Sequence, residues 1–184
     1  MFQFPIRFRL AALLLSAPLL LASCDSKDPE PDKDNEQITT VTYTLTPTAG
    51  GGAAISATWK DLDGTGGAAP TIGTLSLRPN TTYTGTISLL DETKTPAADI
   101  AKEVKEEAND HILFYTATPA GLLSVTRTDK DAKNLELGLT TSVVTTAAGT
   151  GTLKITLRHQ PGTKNGTFTP GDTDAESVFP VTVQ

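Results

Sequence analysis

The chain has one cysteine, Cys24, so no internal disulfide can hold it together. Tryptophan and methionine also occur once each, and His111 and His159 are the only histidines. Past residue 23 the aromatics are Tyr43, Trp59, Tyr83, Phe114, Tyr115, Phe168 and Phe179. A core must therefore be built mainly from Leu, Ile, Val and Thr methyls. No apolar run reaches the roughly 20 residues of a membrane-crossing helix. Basic residues are short by comparison with acids, 15 against 21. An acidic protein repels phosphates, which excludes nucleic acid and anionic headgroups as natural partners. No Gly-x-Ser-x-Gly elbow and no phosphate-binding loop is present. Gly64-Thr65-Gly66-Gly67-Ala68-Ala69 approaches a dinucleotide fingerprint, but it leads into a strand-like stretch where a helix is required.

The first 23 residues have three zones. Arg7 and Arg9 supply a positive start, and Leu10 to Leu21 form an apolar stretch broken only by Ser16 and Pro18. Leu21-Ala22-Ser23-Cys24 closes it. The length suits a signal core, which makes residues 1–23 a signal peptide. Arg7 and Arg9 are the only charges there, so their removal takes the net charge from −6 to −8. Residues 25–37 (DSKDPEPDKDNEQ) carry six acids, two lysines and two prolines with no large apolar residue. Such a segment cannot bury enough surface to fold. Residues 24–37 thus read as an extended acidic tether.

Leu21-Ala22-Ser23-Cys24 resembles the lipobox of bacterial lipoproteins: an aliphatic residue, two small ones, then cysteine. The resemblance implies cleavage before Cys24 and lipid on its thiol. Two or more acyl chains anchor a protein stably where one does not. It further implies a cell-envelope location, with the acidic run after Cys24 favouring the outer membrane, on its periplasmic or surface side.

From Ile38 onward apolar residues alternate with period two, the mark of half-buried strands. Val41, Tyr43 and Leu45 face one way and Thr42, Thr44 and Thr46 the other. Ile55, Ala57 and Trp59 repeat the scheme, as do Leu75 and Leu77, and Tyr83, Gly85, Ile87 and Leu89. Ile112 to Tyr115 is apolar throughout and reads as a central strand. Leu123 and Val125, Leu137 to Val144, Leu153 to Leu157, and Phe179 to Val183 complete about nine strands. Threonine is about one residue in six, and its β-branch suits a strand's polar face. Asn165-Gly166 and Gly149-Thr150-Gly151 read as turns. One helix is expected, capped by Thr95 with Pro96 in its first turn and Ala97, Ile100, Ala101, Val104 and Ala108 on its apolar face. The fold class is therefore all-β, an antiparallel sandwich of about 7–9 strands with one short inserted helix, forming a single domain over 38–184. In strand count and length it resembles immunoglobulin-like sandwiches, without their cysteine pair and with Trp59 as the candidate buried tryptophan. Together with the segments Arg127–Asp131 and Leu157–Gly162, it looks like a group of small bacterial lipoproteins with such a domain, a membership that implies no function.

Candidate chemistry is sparse. Asp61, Asp63 and Gly66 occupy the first, third and sixth places of a calcium loop, where carboxylates and a sharp turn are needed. The twelfth place is Ile72, so no EF-hand is formed. Asp172 and Asp174 lie in another loop and can complete an oxygen-rich Ca2+ site if both loops meet at one end of the sandwich. The alternative is that Asp61 and Asp63 bond their own backbone in an Asp-Gly turn. His111 opens a strand and His159 ends one, and both are expected in capping or surface roles. The sequence reads as a non-enzymatic binding or scaffold module tethered to a membrane, with a protein or glycan partner. Its contact loops are expected at 61–70, 129–136 and 161–176. The alternatives are a small secreted hydrolase with a carboxylate pair and a purely structural envelope component.

Overall fold

The computed structural model describes Met1, residues 36–64 and residues 66–184. The expected signal peptide, Cys24 and the expected tether up to residue 35 lie outside the described residues, as does Thr65. No described helix is long and apolar enough to cross a membrane.

Two sheets make the all-β sandwich that the alternation predicts. The larger contains β1 (Thr40–Pro47), β2 (Ile55–Lys60), β3 (Thr71–Ile72), β5 (Thr82–Asp91), β6 (Ala98–Asp99), β8 (Leu123–Arg127) and β9 (Thr140–Thr145). Its order is β3-β2-β1-β5-β9-β8, and β6 pairs with β5 beside this path. The smaller sheet contains β4 (Leu75–Leu77), β7 (His111–Thr118), β10 (Gly149–His159) and β11 (Asp172–Val183), in the order β4-β11-β10-β7. All pairs are antiparallel except β4 with β11, which is parallel. Among the described residues, eleven strands thus stand where seven to nine were expected. β3 and β6 are two residues each, too short for a period of two to appear in sequence.

The core lies between the inner faces. Tyr43, Leu45, Tyr83 and Leu89 come from the larger sheet, and Leu153, Leu157, Phe179 and Val181 from the smaller, all essentially buried. Fully burying one such side chain contributes about 1.5–3 kcal/mol. Outward threonines pair across strands: Thr42 with Thr58 at 3.0 Å and Thr128 with Thr140 at 2.9 Å. Cross-strand hydroxyl pairs of this kind are the sheet counterpart of helical i,i+4 contacts. Trp59 is only partly buried, packing against the core from the side.

Three expectations are corrected. Helix α1 spans Ile100–Glu106 and is capped by Asp99, whose side chain accepts from the Lys102 amide at 3.2 Å. The chain is still paired as β6 at Ala98 and Asp99, so Thr95 and Pro96 fall in the preceding turn. Ile100 and Val104 are the helix residues buried against the core. The strand expected from Leu137 begins only at Thr140, because Gly138 adopts φ 103°, outside the strand region. The apolar run Ile112 to Tyr115 lies in β7, an edge strand and not a central one. Its edge is covered: Leu113 N–H donates to Leu137 O at 2.7 Å, and Arg127 Nη1 donates to Leu113 O at 3.0 Å. Covering an edge removes the unpaired backbone that invites aggregation, and it permits apolar residues on both faces.

Candidate functional site

β10 and β7 run antiparallel in a register that ends with His159 opposite His111. Directly opposed side chains lie on one face, and these two imidazoles stack with centroids 4.5 Å apart and planes 6° from parallel. On the other side of β10 the register with β11 shifts between Leu157 and Arg158. Leu157 pairs with Ala175 and Arg158 with Thr173, leaving Asp174 as the extra residue of a bulge. A bulge re-aims a side chain. Phe179 and Ser177 point inward by strict alternation, which would leave Asp174 outward, yet its side chain is 1 % exposed. Gly171, at φ 71°, lets the start of β11 pass so close to the His159 backbone that a Cβ there would collide with it. Glu36 arrives from the segment before β1 with its carboxylate 10 % exposed.

The result is a compact group. One ligand-type atom from each of Glu36, His111, His159 and Asp174 lies within 4.8 Å of every other. His111 is fully buried, its Nε2 3.0 Å from Glu36 Oε1 and 3.8 Å from Asp174 Oδ2. Its Nδ1 lies 3.2 Å from Glu107 O, at the end of α1. A carbonyl can only accept, so Nδ1 carries a proton, and Nε2 is the ring atom turned toward the carboxylates. His111 Nε2, Glu36 Oε2 and Asp174 Oδ2 are buried without a hydrogen-bond partner. Buried polar atoms are nearly always satisfied, so three such atoms within one small group of side chains are unusual.

Charge reinforces the geometry. Burial pushes the Asp174 carboxyl up, and the negative charge of Glu36 raises it further, to about 7. Burial also pushes Glu36 up, but the His111 imidazole more than offsets this and holds Glu36 below the usual carboxylate range. Burial pulls His111 down, and Glu36 more than reverses it, so His111 ends above its ordinary value. Two carboxyls driven apart in this way share a space too small and too dry for two negative charges.

The four aspartates proposed from sequence are not gathered in one place. Asp174 alone enters the group. Asp61 lines a pocket of about 250 Å³ with Ile38, Trp59, Asp174 and Glu176, so the two loops do meet at one end. Asp61 accepts from Gly64 N and Asp63 from Ala68 N, both at 2.8 Å, which is the turn arrangement. Asp63 and Asp172 are exposed. Sequence reasoning missed His111, His159 and Glu36. The capping part of the expectation for His111 holds, through Glu107 O, but its surface role does not. The one early signal was the placement of each histidine at a strand end, which becomes a pair only once the register is known.

The fold and this group define an all-β sandwich with a buried histidine–carboxylate centre at one end. No family model matches the chain, and no curated protein or solved structure matches it.

Proposed function

We propose that this chain is a lipid-anchored, non-enzymatic binding or scaffold module of the bacterial cell envelope, held by lipid on Cys24 and working outside the cytoplasm. The lipobox-like Leu21-Ala22-Ser23-Cys24 and the acidic run that follows it support the anchor. The residues between Cys24 and Glu36 can reach at most roughly 40 Å when extended, enough to lift a small domain clear of headgroups.

The observation that carries the binding reading is an arginine–aromatic cluster built from Phe114 and Arg158 of the smaller sheet, Arg127 of the larger and Phe168 of the loop before β11. Phe168 is 48 % exposed and meets Phe114 edge to face at 5.1 Å. Arg158 lies over the Phe168 ring at 4.7 Å, and Arg127 over the Phe114 ring at 4.8 Å. Beside it, Phe114, Tyr115, Arg127 and Glu136 line a shallow pocket of about 210 Å³. The loop carrying Phe168 is fixed from within: buried Gln160 donates to Thr167 O and to Pro170 O, each at 2.9 Å. Arginine and rigid aromatics dominate the residues on which interfaces depend, and preorganising them lowers the entropy cost of binding. The Glu36–Asp174 pair, by contrast, is closed to a sugar or ester substrate, which counts against the hydrolase reading.

A photo-crosslinking residue at Phe168, compared with one at Val144 on the other sheet, tests the surface in intact cells. A discrete adduct from position 168 alone is expected; equal labelling from both overturns it. Protease shaving of wild type and Cys24→Ala tests the anchor, which fails if Cys24→Ala remains with salt-washed membranes.

A further inference from the structure

We infer that Glu36, His111, His159 and Asp174 form a binding site for one divalent transition-metal ion of the zinc class. The site extends the reading above and does not depend on it.

The argument starts from donor chemistry. Calcium and magnesium take oxygen ligands, whereas imidazole nitrogen suits zinc and its first-row neighbours. Two imidazoles and two carboxylates make a four-donor set, the usual number for a zinc site. Ligand bonds near 2.0–2.2 Å put donor atoms within about 3–4 Å of each other, so a group already inside 4.8 Å closes on an ion with small side-chain adjustments. The orientation of His111 is the second, independent observation. Its Nδ1–H is taken by the Glu107 carbonyl, and metal-ligating histidines almost always donate their other ring N–H in this way. Nε2 faces both carboxylates, 3.0 Å from Glu36 Oε1 and 3.8 Å from Asp174 Oδ2, and Glu36, His111 and Asp174 each carry a buried polar atom without a hydrogen-bond partner. A divalent ion satisfies all three and neutralises the paired carboxylates. The pocket lined by Asp61 and Glu176 reaches the group at Asp174.

The site has a structural consequence. His111 and His159 belong to neighbouring strands, Asp174 to the bulge of a third, and Glu36 to the chain entering from the membrane side. An ion therefore fastens the root of the tether to the end of the small sheet.

The test uses full-length protein in detergent, stripped with chelator and titrated with Zn2+, Co2+ or Ca2+ alone. One Zn2+ or Co2+ per chain is expected, with Co2+ showing the visible bands of a low-coordinate site. At about 100 times the dissociation constant, Zn2+ raises the unfolding midpoint by about 5–10 °C, and Ca2+ does not. Asp174→Asn and His159→Gln weaken Zn2+ by more than about 100-fold, beyond the range seen for residues that merely support ligands. Glu36→Gln lies ahead of the first strand, so it reads the site without endangering the fold, and it weakens Zn2+ as well. Zn2+ bound equally by wild type and by Glu36→Gln and Asp174→Asn overturns the site. So does a midpoint that Ca2+ raises as far as Zn2+, or one that no metal moves.

Discussion

Among the described residues, two of the buried polar centres stand in contrast, one complete and one not. Lys164 and Asp131 form an ion pair at 2.8 Å with both side chains fully buried. Lys164 also donates to Ala108 O at 2.8 Å, and Asp131 Oδ1 accepts from the Lys133 and Leu135 amides. Charge is matched, and the polar atoms of both partners have company. At Glu36, His111 and Asp174, polar atoms equally hidden from water have none. The first is a structural clamp between the 129–136 and 161–171 loops. The second has the form of a site that waits for a charge the protein does not supply. Satisfaction of the polar atoms, and not burial alone, separates the two.

The comparison breaks most sharply at the complete pair. Lys164→Met leaves Asp131 buried and uncompensated, and should lower unfolding free energy by about 3–5 kcal/mol in denaturant titration. Pairing it with Asp131→Leu should restore much of that loss, since the cost lies in the unpaired charge.

Acid should reach the same pair more gently. Burial pushes the Asp131 carboxyl up, but the Lys164 ammonium together with the Leu135 and Lys133 amides more than offsets it and holds the group below the usual carboxylate range. A depressed carboxyl contributes stability above its unfolded value near 3.9, and that stability is lost as pH falls through the lower folded value. The unfolding midpoint should therefore drop below about pH 4. In Asp131→Asn that part of the acid dependence should vanish.

A neutral buried bond gives the scale for a satisfied contact without charge. Tyr43 and Thr141 share a hydrogen bond of 2.6 Å between hydroxyls inside the larger sheet. Tyr43→Phe should cost about 1–1.5 kcal/mol, measured by the same titration.

The smallest effect is expected at the incomplete centre. Asp174→Asn removes one of two crowded carboxyls and keeps a side chain that can donate to Glu36. Metal-free protein should keep its unfolding free energy within about 1 kcal/mol of wild type. A loss as large as that of Lys164→Met would show that the two centres are alike after all.

Much of the fold was legible before any coordinates. Val41-Tyr43-Leu45 and Tyr83 to Leu89 alternate so cleanly that their inward faces could be named, and all but Gly85 of these lie in the buried core cluster. Edge and centre were not legible. Ile112 to Tyr115 is apolar because segment 135–139 covers its edge, and that contact joins residues far apart in the chain. The helix start was misjudged for a similar reason: Thr95-Pro96 is a sound local signal, but pairing of Ala98 and Asp99 with β5 holds the chain as strand until Asp99.

Sequence alone determined what depends on neighbours a few residues away: the period-two strands, the acidic composition of 25–37 and the lipobox-like Leu21–Cys24. Tertiary structure alone decided the centre. Its four residues lie between positions 36 and 174 with no shared spacing. They meet because β7, β10 and β11 pair in one register, and because a single extra residue in β11 turns Asp174 inward. Side-chain direction in a strand reverses with a shift of one residue. Which carboxylate faces the histidines is therefore set by long-range hydrogen bonding, which no local pattern records.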